Sequence, residues 1–99
     1  MNPISMKKTI KGVLYNTDTA TLLADNAYWD GSSHERNGRN SFLYKTPTGR
    51  YFLVNQTQWE DEYDRLVPVS KDAAVDVYEV LQAEHVEFDE AFYAEPVRE

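Results

Sequence analysis

Two strand-like runs in the middle of the chain give the clearest hydrophobic pattern. Residues 42–46 and 50–54 are rich in aromatic and aliphatic side chains, which favour strands. Pro47 presets the φ angle of a turn, and Gly49 can adopt the positive φ that closes a three-residue loop. The pattern predicts a β-hairpin with apolar residues on both faces, placed centrally in a sheet with one face against helices.

The segment before this hairpin predicts a strand followed by a helix. Residues 8–15 alternate between apolar and polar, and the alternation slips at Gly12, which predicts a strand with a bulge or bend there. The next apolar residues are spaced as on one face of a helix and predict a short helix over residues 17–26. They are Ala20, Leu23, Ala24 and Ala27.

Residues 30–40 contain glycine, asparagine and serine without any apolar side chain, which predicts a loop. Residues 56–64 include four carboxylates and are expected to form an acidic connector or a loosely structured strand end. Residues 65–69 predict a third strand at the edge of the sheet, because Pro68 cannot donate a hydrogen bond to a neighbouring strand.

Helical signals follow in the last third of the chain. Ser70 is a typical N-cap, and Asp72 is favourable in the first turn of a helix that we expect to reach about Glu84. The expected apolar face consists of Ala74, Val77, Tyr78 and Leu81. A short last helix is predicted over residues 89–94, before Pro96.

These elements predict a single α+β domain over residues 1–99, in the order β-α-β-β-β-α with an optional short C-terminal helix. A small antiparallel sheet of 3–4 strands would carry two helices on one face. Residues 1–7 and 96–99 are expected to be flexible.

The charges are distributed unevenly along the sequence. Thirteen of the seventeen carboxylates lie between Glu60 and Glu99, with three basic residues, whereas the first 59 residues hold seven Lys/Arg and four Asp/Glu. This asymmetry concerns partners rather than the fold. The chain has no cysteine, no signal-peptide pattern and no apolar run long enough to span a membrane, so we expect a soluble, cytoplasmic protein.

The acidic half contains the residues most indicative of a partner surface. Asp72, Asp76 and Glu79 share one helical face, where like charges at this spacing are mildly destabilising. The connector adds aromatic residues among acids, a combination found at protein interfaces. The predicted contact residues there are Trp59, Glu60, Asp61, Glu62, Tyr63 and Asp64. The alternative is a charged surface that serves solubility only.

Basic residues accompany aromatics on the central hairpin. Tyr44, Lys45, Arg50 and Tyr51 could form an alternative face that binds nucleic acid by stacking and charge. The net charge of −7 disfavours this alternative.

No pattern in the sequence indicates catalysis. His34 lies in the predicted loop and His85 at the predicted end of the long helix, where the helix dipole favours a cation. Phosphate-binding loops, nucleophile elbows and metal-binding spacings are missing from the sequence. We therefore expect no enzyme activity, no catalytic or metal-ligating residues and no cofactor.

Several short motifs resemble a family of small, acidic, single-domain proteins found in bacteria and their mobile elements. The motifs are residues 15–20, 42–46, 49–53, 68–70 and 88–92, and the resemblance spans about residues 12–93. Where the family pattern has a glycine-rich loop after Leu53, this chain has residues 54–59 without glycine. The resemblance carries no catalytic residues. It implies an accessory or anti-defence role, similar in character to the small acidic phage proteins that block CRISPR nucleases.

The sequence therefore favours a protein-binding module whose acidic half docks on a basic protein surface, with a nucleic-acid-handling effector as the expected kind of partner. In its sharpest form, a phage or mobile-element protein would inhibit such an effector by mimicking nucleic acid or occluding its channel. The chain could act as a monomer or a homodimer, in which case the edge strand or the tyrosine-rich sheet face would pair.

Overall fold

A computed structural model describes residues 4–25, 39–57, 63–81 and 83–93. Within them the chain forms seven strands and two helices. The strands are β1 (Lys7–Ile10), β2 (Val13–Asn16), β3 (Thr21–Asp25), β4 (Arg39–Lys45), β5 (Tyr51–Thr57), β6 (Arg65–Val69) and β7 (Ala83–Glu84). The helices are α1 (Lys71–Val80) and α2 (Phe88–Phe92).

The strands form two antiparallel sheets. β1 and β2 pair with each other, and the other five pair in the order β6-β5-β4-β3-β7. The predicted α+β class is confirmed, whereas the predicted strand number and order are not, because the described residues form a five-stranded sheet and a separate hairpin. Both helices lie on one face of the larger sheet and the hairpin lies on the other, so the fold has three layers.

One core fills the space between the large sheet and the helices. Its buried residues come from the helix-facing side of the strands and from the inner sides of α1 and α2: Leu23, Ala24, Leu43, Tyr51, Ala74, Tyr78, Leu81, Ala91 and Phe92. The Tyr51 hydroxyl donates a hydrogen bond to the Ala91 carbonyl at 3.0 Å, so a strand residue fixes the position of α2.

A second core fills the space between the large sheet and the β1-β2 hairpin. Phe52 lies at its centre, stacked on Tyr44 with ring centroids 5.1 Å apart and in edge contact with Tyr15 at 5.5 Å. The chain before β1 also reaches this core, because Ile4 packs against it and donates its backbone N–H to Gln56 Oε1.

Residues 8–15 do not form the single bent strand that the sequence predicts. They form a hairpin, because Lys11 and Gly12 both adopt positive φ angles, 51° and 79°, and reverse the chain in two residues. The slip in alternation at Gly12 therefore marks a turn. This hairpin supplies the third layer, which the sequence pattern did not indicate.

The predicted helix over residues 17–26 is wrong. A turn after Asn16 leads into β3, which pairs with β4 on one side and β7 on the other. The register of β3 and β4 shifts between Leu22 and Ala24, so a bulge interrupts the alternation and allows Leu23 and Ala24 to face the same core. Two consecutive inward residues are what made the pattern look helical.

The predicted central hairpin is confirmed in β4 and β5, with Gly49 at φ 90° in the connecting turn. β6 lies at the edge of the sheet, as Pro68 predicts. β4 begins at Arg39, inside the predicted loop, and residues 30–38 lie outside the described part of the chain.

The long helix begins where predicted but ends earlier. Ser70 Oγ accepts a hydrogen bond from Ala73 N at 3.1 Å, which confirms the N-cap. α1 ends at Val80 rather than Glu84, because Leu81 is extended and the chain continues into β7 at the other edge of the sheet. The predicted last helix exists as α2, and residues 94–99 lie outside the described part.

Candidate binding surfaces

The outer side of α1 carries three carboxylates, Asp72, Asp76 and Glu79, which we call the acidic face. All three are exposed. Within the part of the chain that the structure describes, none of them forms a salt bridge. Val80, which is 76% exposed, lies next to them on the same helix. The acidic face is therefore an exposed group of three carboxylates with an apolar side chain beside it.

The inner side of α1 holds this face in a fixed position. Ala74 and Tyr78 are buried in the core. The Tyr78 hydroxyl donates to the Val86 carbonyl at 2.6 Å, and its ring makes edge contacts with Phe88 and Phe92. Since both the N-cap and the buried face anchor the helix, its carboxylates have a defined geometry.

The acidic connector is only partly within the described residues. Trp59, Glu60, Asp61 and Glu62 were predicted as contact residues and lie outside them. Tyr63 is 82% exposed and is available to a partner. Asp64 has an internal function, because its Oδ1 accepts a hydrogen bond from the Thr57 backbone N–H at 2.8 Å and closes the end of β5.

A cleft of about 480 Å³ opens where the β4-β5 turn, the start of α1 and the end of α2 meet. We call it the basic cleft. Three cations line it, Lys45, Arg50 and Lys71, and its aromatic lining residues are Tyr15, Tyr51, Phe92 and Tyr93. Lys71 Nζ lies 4.8 Å from the centre of the Tyr93 ring, and Lys45 Nζ lies 5.9 Å from that of Tyr51.

The cations of the basic cleft are close enough to affect one another. Burial lowers the pKa of Lys45, the charge of Lys71 lowers it further, and Glu90 partly opposes this. Within the described residues no carboxylate makes a salt bridge with the three cations. A positive site thus exists on a protein whose formal net charge is −7.

The structure divides the residues of the predicted nucleic-acid face. Lys45, Arg50 and Tyr51 come together in the basic cleft. Tyr44 lies on the opposite side of the sheet, buried against Phe52, and burial and the nearby Asp25 raise its pKa. No local sequence pattern links Lys71, Phe92 and Tyr93 to the hairpin, since these residues reach it only through the β5-β6 pairing and the packing of α2.

A second group of positive charges lies on the β1-β2 hairpin, the layer on the other side of the large sheet. Lys7, Lys8 and Lys11 are exposed on the β1-β2 hairpin, opposite the helix layer that bears the acidic face. Stacked sheets are about 10 Å apart, so the two charged surfaces are separated by more than the Debye length of about 8 Å in physiological salt. Each surface can therefore meet a partner independently.

Of the two histidines, His85 lies within the described residues. His85 lies beyond α1 rather than at its end, and its Nε2 is 2.7 Å from Oδ2 of the buried Asp25. His34 lies outside the described residues. Within the described residues no group of three or more His, Asp or Glu is placed to hold a metal ion, and no helix is long and apolar enough to cross a membrane.

Comparisons with known proteins give no relative for this chain. No protein-family model, no curated protein and no solved structure matches it.

Proposed function

We propose that this protein is a non-enzymatic binding module whose acidic face docks on a basic surface of another protein. The observation that carries the proposal is that Asp72, Asp76 and Glu79 are exposed and form no salt bridge with any described residue, on a helix whose inner side is packed in the core. Carboxylates at i and i+4 repel each other. Glu79 lies near the C-terminal end of α1, where the negative end of the helix dipole also disfavours a negative charge. A basic partner would relieve both unfavourable interactions.

The spacing of these charges favours general electrostatic complementarity. With a rise of 1.5 Å per residue, the three carboxylates extend over about 10 Å of helix. One strand of duplex DNA carries a phosphate about every 3.4 Å along the axis. The acidic face is therefore sparser than a nucleic-acid strand, which supports occlusion of a basic channel more than replacement of phosphates one by one.

The same chemistry supports a proposal about the class of partner. Proteins that handle nucleic acid present fixed basic surfaces, and an acidic module can cover such a surface. We propose an effector of this class as the partner, with a phage or mobile-element inhibitor of a defence system such as CRISPR–Cas as the sharpest form. Val80 and Tyr63 supply exposed apolar and aromatic contacts that could add to such an interface.

The proposal is tested with the triple variant Asp72→Lys, Asp76→Lys and Glu79→Lys. Tagged wild-type protein is expected to capture basic proteins from a nuclease-treated host lysate at low salt and to release them at about 1 M salt, where the Debye length is about 3 Å. The triple variant is expected to lose the same proteins. Mass spectrometry of the released fractions identifies them.

The matched control reverses three exposed lysines on the opposite layer: Lys7→Glu, Lys8→Glu and Lys11→Glu. It changes the net charge by the same amount in the other direction and is expected to retain the captured proteins. If the triple variant captures the same proteins as the wild type, the acidic face is a solubility surface. Recovery of nucleic acid alone from an untreated lysate would favour the alternative nucleic-acid-binding function.

The inhibitor form of the proposal has a separate readout. A purified candidate effector is assayed for target binding or cleavage with increasing amounts of this protein. Wild-type protein is expected to inhibit and the triple variant is not. Light scattering of both proteins at micromolar concentration shows whether the active species is a monomer or a homodimer.

A further inference from the structure

The basic cleft brings together three cations from separate parts of the chain. Lys45 ends β4, Arg50 precedes β5 and Lys71 begins α1. Burial and the charge of Lys71 lower the pKa of Lys45, and Glu90 opposes this in part, so the cations are close enough to repel each other. Many carboxylates are available on this chain, but none in the described residues forms a salt bridge with these cations.

We propose that the basic cleft binds the phosphate of a small, ring-bearing molecule of the nucleoside monophosphate class. A phosphate monoester carries close to two negative charges at neutral pH and has three acceptor oxygens. One guanidinium and two ammonium groups can satisfy these oxygens, with Arg50 donating in a fork and the lysines acting as compact charges.

The size and walls of the cleft fit the rest of such a molecule. Pockets for small ligands have volumes of about 300–1,000 Å³, and this cleft has about 480 Å³. Tyr51 and Phe92 form a buried aromatic wall and Tyr93, 68% exposed, forms an open one. Lys71 lies over Tyr93, and its flexible stem allows the ammonium to turn to a phosphate and leave the ring to a base.

This inference does not rest on the proposed docking function. The ligand meets the cations at one end of α1, whereas the protein partner meets the carboxylates along its outer side. Reversal of Asp76 and Glu79 is therefore expected to leave ligand binding in place. Either proposal can fail while the other stands.

Titration of ¹⁵N-labelled full-length protein at low ionic strength tests the site. Adenosine 5′-monophosphate is expected to shift the amide signals of Gly49, Arg50, Lys71 and Tyr93, while those of Glu84 and His85 at the other edge of the sheet stay unchanged. Inorganic phosphate is expected to bind more weakly and adenosine to give no saturable shift. The proposal is overturned if the nucleotide gives no localised shift at a concentration of about 10 mM, because a dissociation constant above that value corresponds to very weak binding.

Two neutral variants examine the cations individually. Arg50→Gln and Lys71→Gln are each expected to weaken nucleotide binding about tenfold, the loss typical of one hydrogen bond to a charged group. Lys11→Gln removes the same charge at the turn of the β1-β2 hairpin and is expected to have no effect. Equal effects of Arg50→Gln and Lys11→Gln would mean that only net charge matters. Arg50 is exposed and precedes the strand, so this variant keeps the test valid if Lys71→Gln disturbs α1.

Three further results would each contradict the assignment. Equal affinity for inorganic phosphate and the nucleotide would exclude a role for the aromatic walls. Equal or tighter binding of a short single strand that lacks terminal phosphates would assign the cleft to a nucleic-acid backbone. Nucleotide affinity is expected to rise severalfold between pH 5 and pH 7 as the phosphate, whose second pKa is about 6, becomes a dianion. An affinity that is flat over this range would exclude recognition of the dianion.

Discussion

Replacement of Tyr78 by phenylalanine tests how α1 is held under the acidic face. Tyr78 is 3% exposed and its hydroxyl donates to the Val86 carbonyl at 2.6 Å. Tyr78→Phe removes this hydrogen bond and keeps the ring contacts with Phe88 and Phe92. The free energy of unfolding at pH 7 is expected to fall by about 1–2 kcal/mol, since a partly buried acceptor loses its donor.

The same residue makes stability depend on pH. Burial, together with Glu84 and Glu87, raises the pKa of Tyr78 to about 12 from the ordinary value of 10.0. Because the folded pKa lies above the unfolded one, this stabilisation is complete below about pH 10 and is lost as the pH rises toward 12. A shift of about two pKa units corresponds to at most about 2.7 kcal/mol of pH-dependent stabilisation. Solvent near the exposed Glu84 screens the carboxylate, so we expect about 1–2 kcal/mol in total.

Urea unfolding of the wild type and Tyr78→Phe at several values between pH 8 and pH 11 measures this contribution. Burial also raises the pKa of Tyr44 and Tyr51, but both proteins share those residues, so the difference in stability isolates Tyr78. The wild-type advantage is expected to shrink by about 1 kcal/mol between pH 9 and pH 11. A constant advantage would show that the hydroxyl is not held in its protonated form. Tyr63→Phe, in an exposed ring, is the control and is expected to change stability by less than about 0.5 kcal/mol.

Two further substitutions test the hairpin layer. Phe52→Ala is expected to lower the free energy of unfolding, measured in urea, by about 3–5 kcal/mol, because the ring is fully buried against Tyr15 and Tyr44. Val67→Ala, in the partly exposed edge strand, is the control and is expected to lower it clearly less. Similar losses would mean that the hairpin does not enclose a core. Gly12→Ala is expected to lower the free energy of unfolding by about 1 kcal/mol because of the positive φ at this position, since no atom lies within 4 Å of an added Cβ. Unchanged stability would contradict the two-residue turn.

The candidate surfaces differ in how far the sequence predicts them. Asp72, Asp76 and Glu79 recur at helical spacing after a good N-cap, and both the cap and the exposure of the carboxylates follow from local rules. The basic cleft has no local signature. Lys71 approaches Lys45 because β5 pairs with both β4 and β6, and this register places the end of one hairpin beside the start of α1.

The sequence by itself determined the elements whose turn and capping residues agree with their place in the fold. Pro47 and Gly49 define the central hairpin, Pro68 places β6 at an edge, and Ser70 begins α1. Only the tertiary structure decided the rest. Residues 21–25 form a strand because they fill the place between β4 and β7, and a bulge there places Leu23 and Ala24 on one face. The N-terminal strands fold over the sheet because Phe52 and its neighbours need an apolar cover, and no local pattern states which segment provides it.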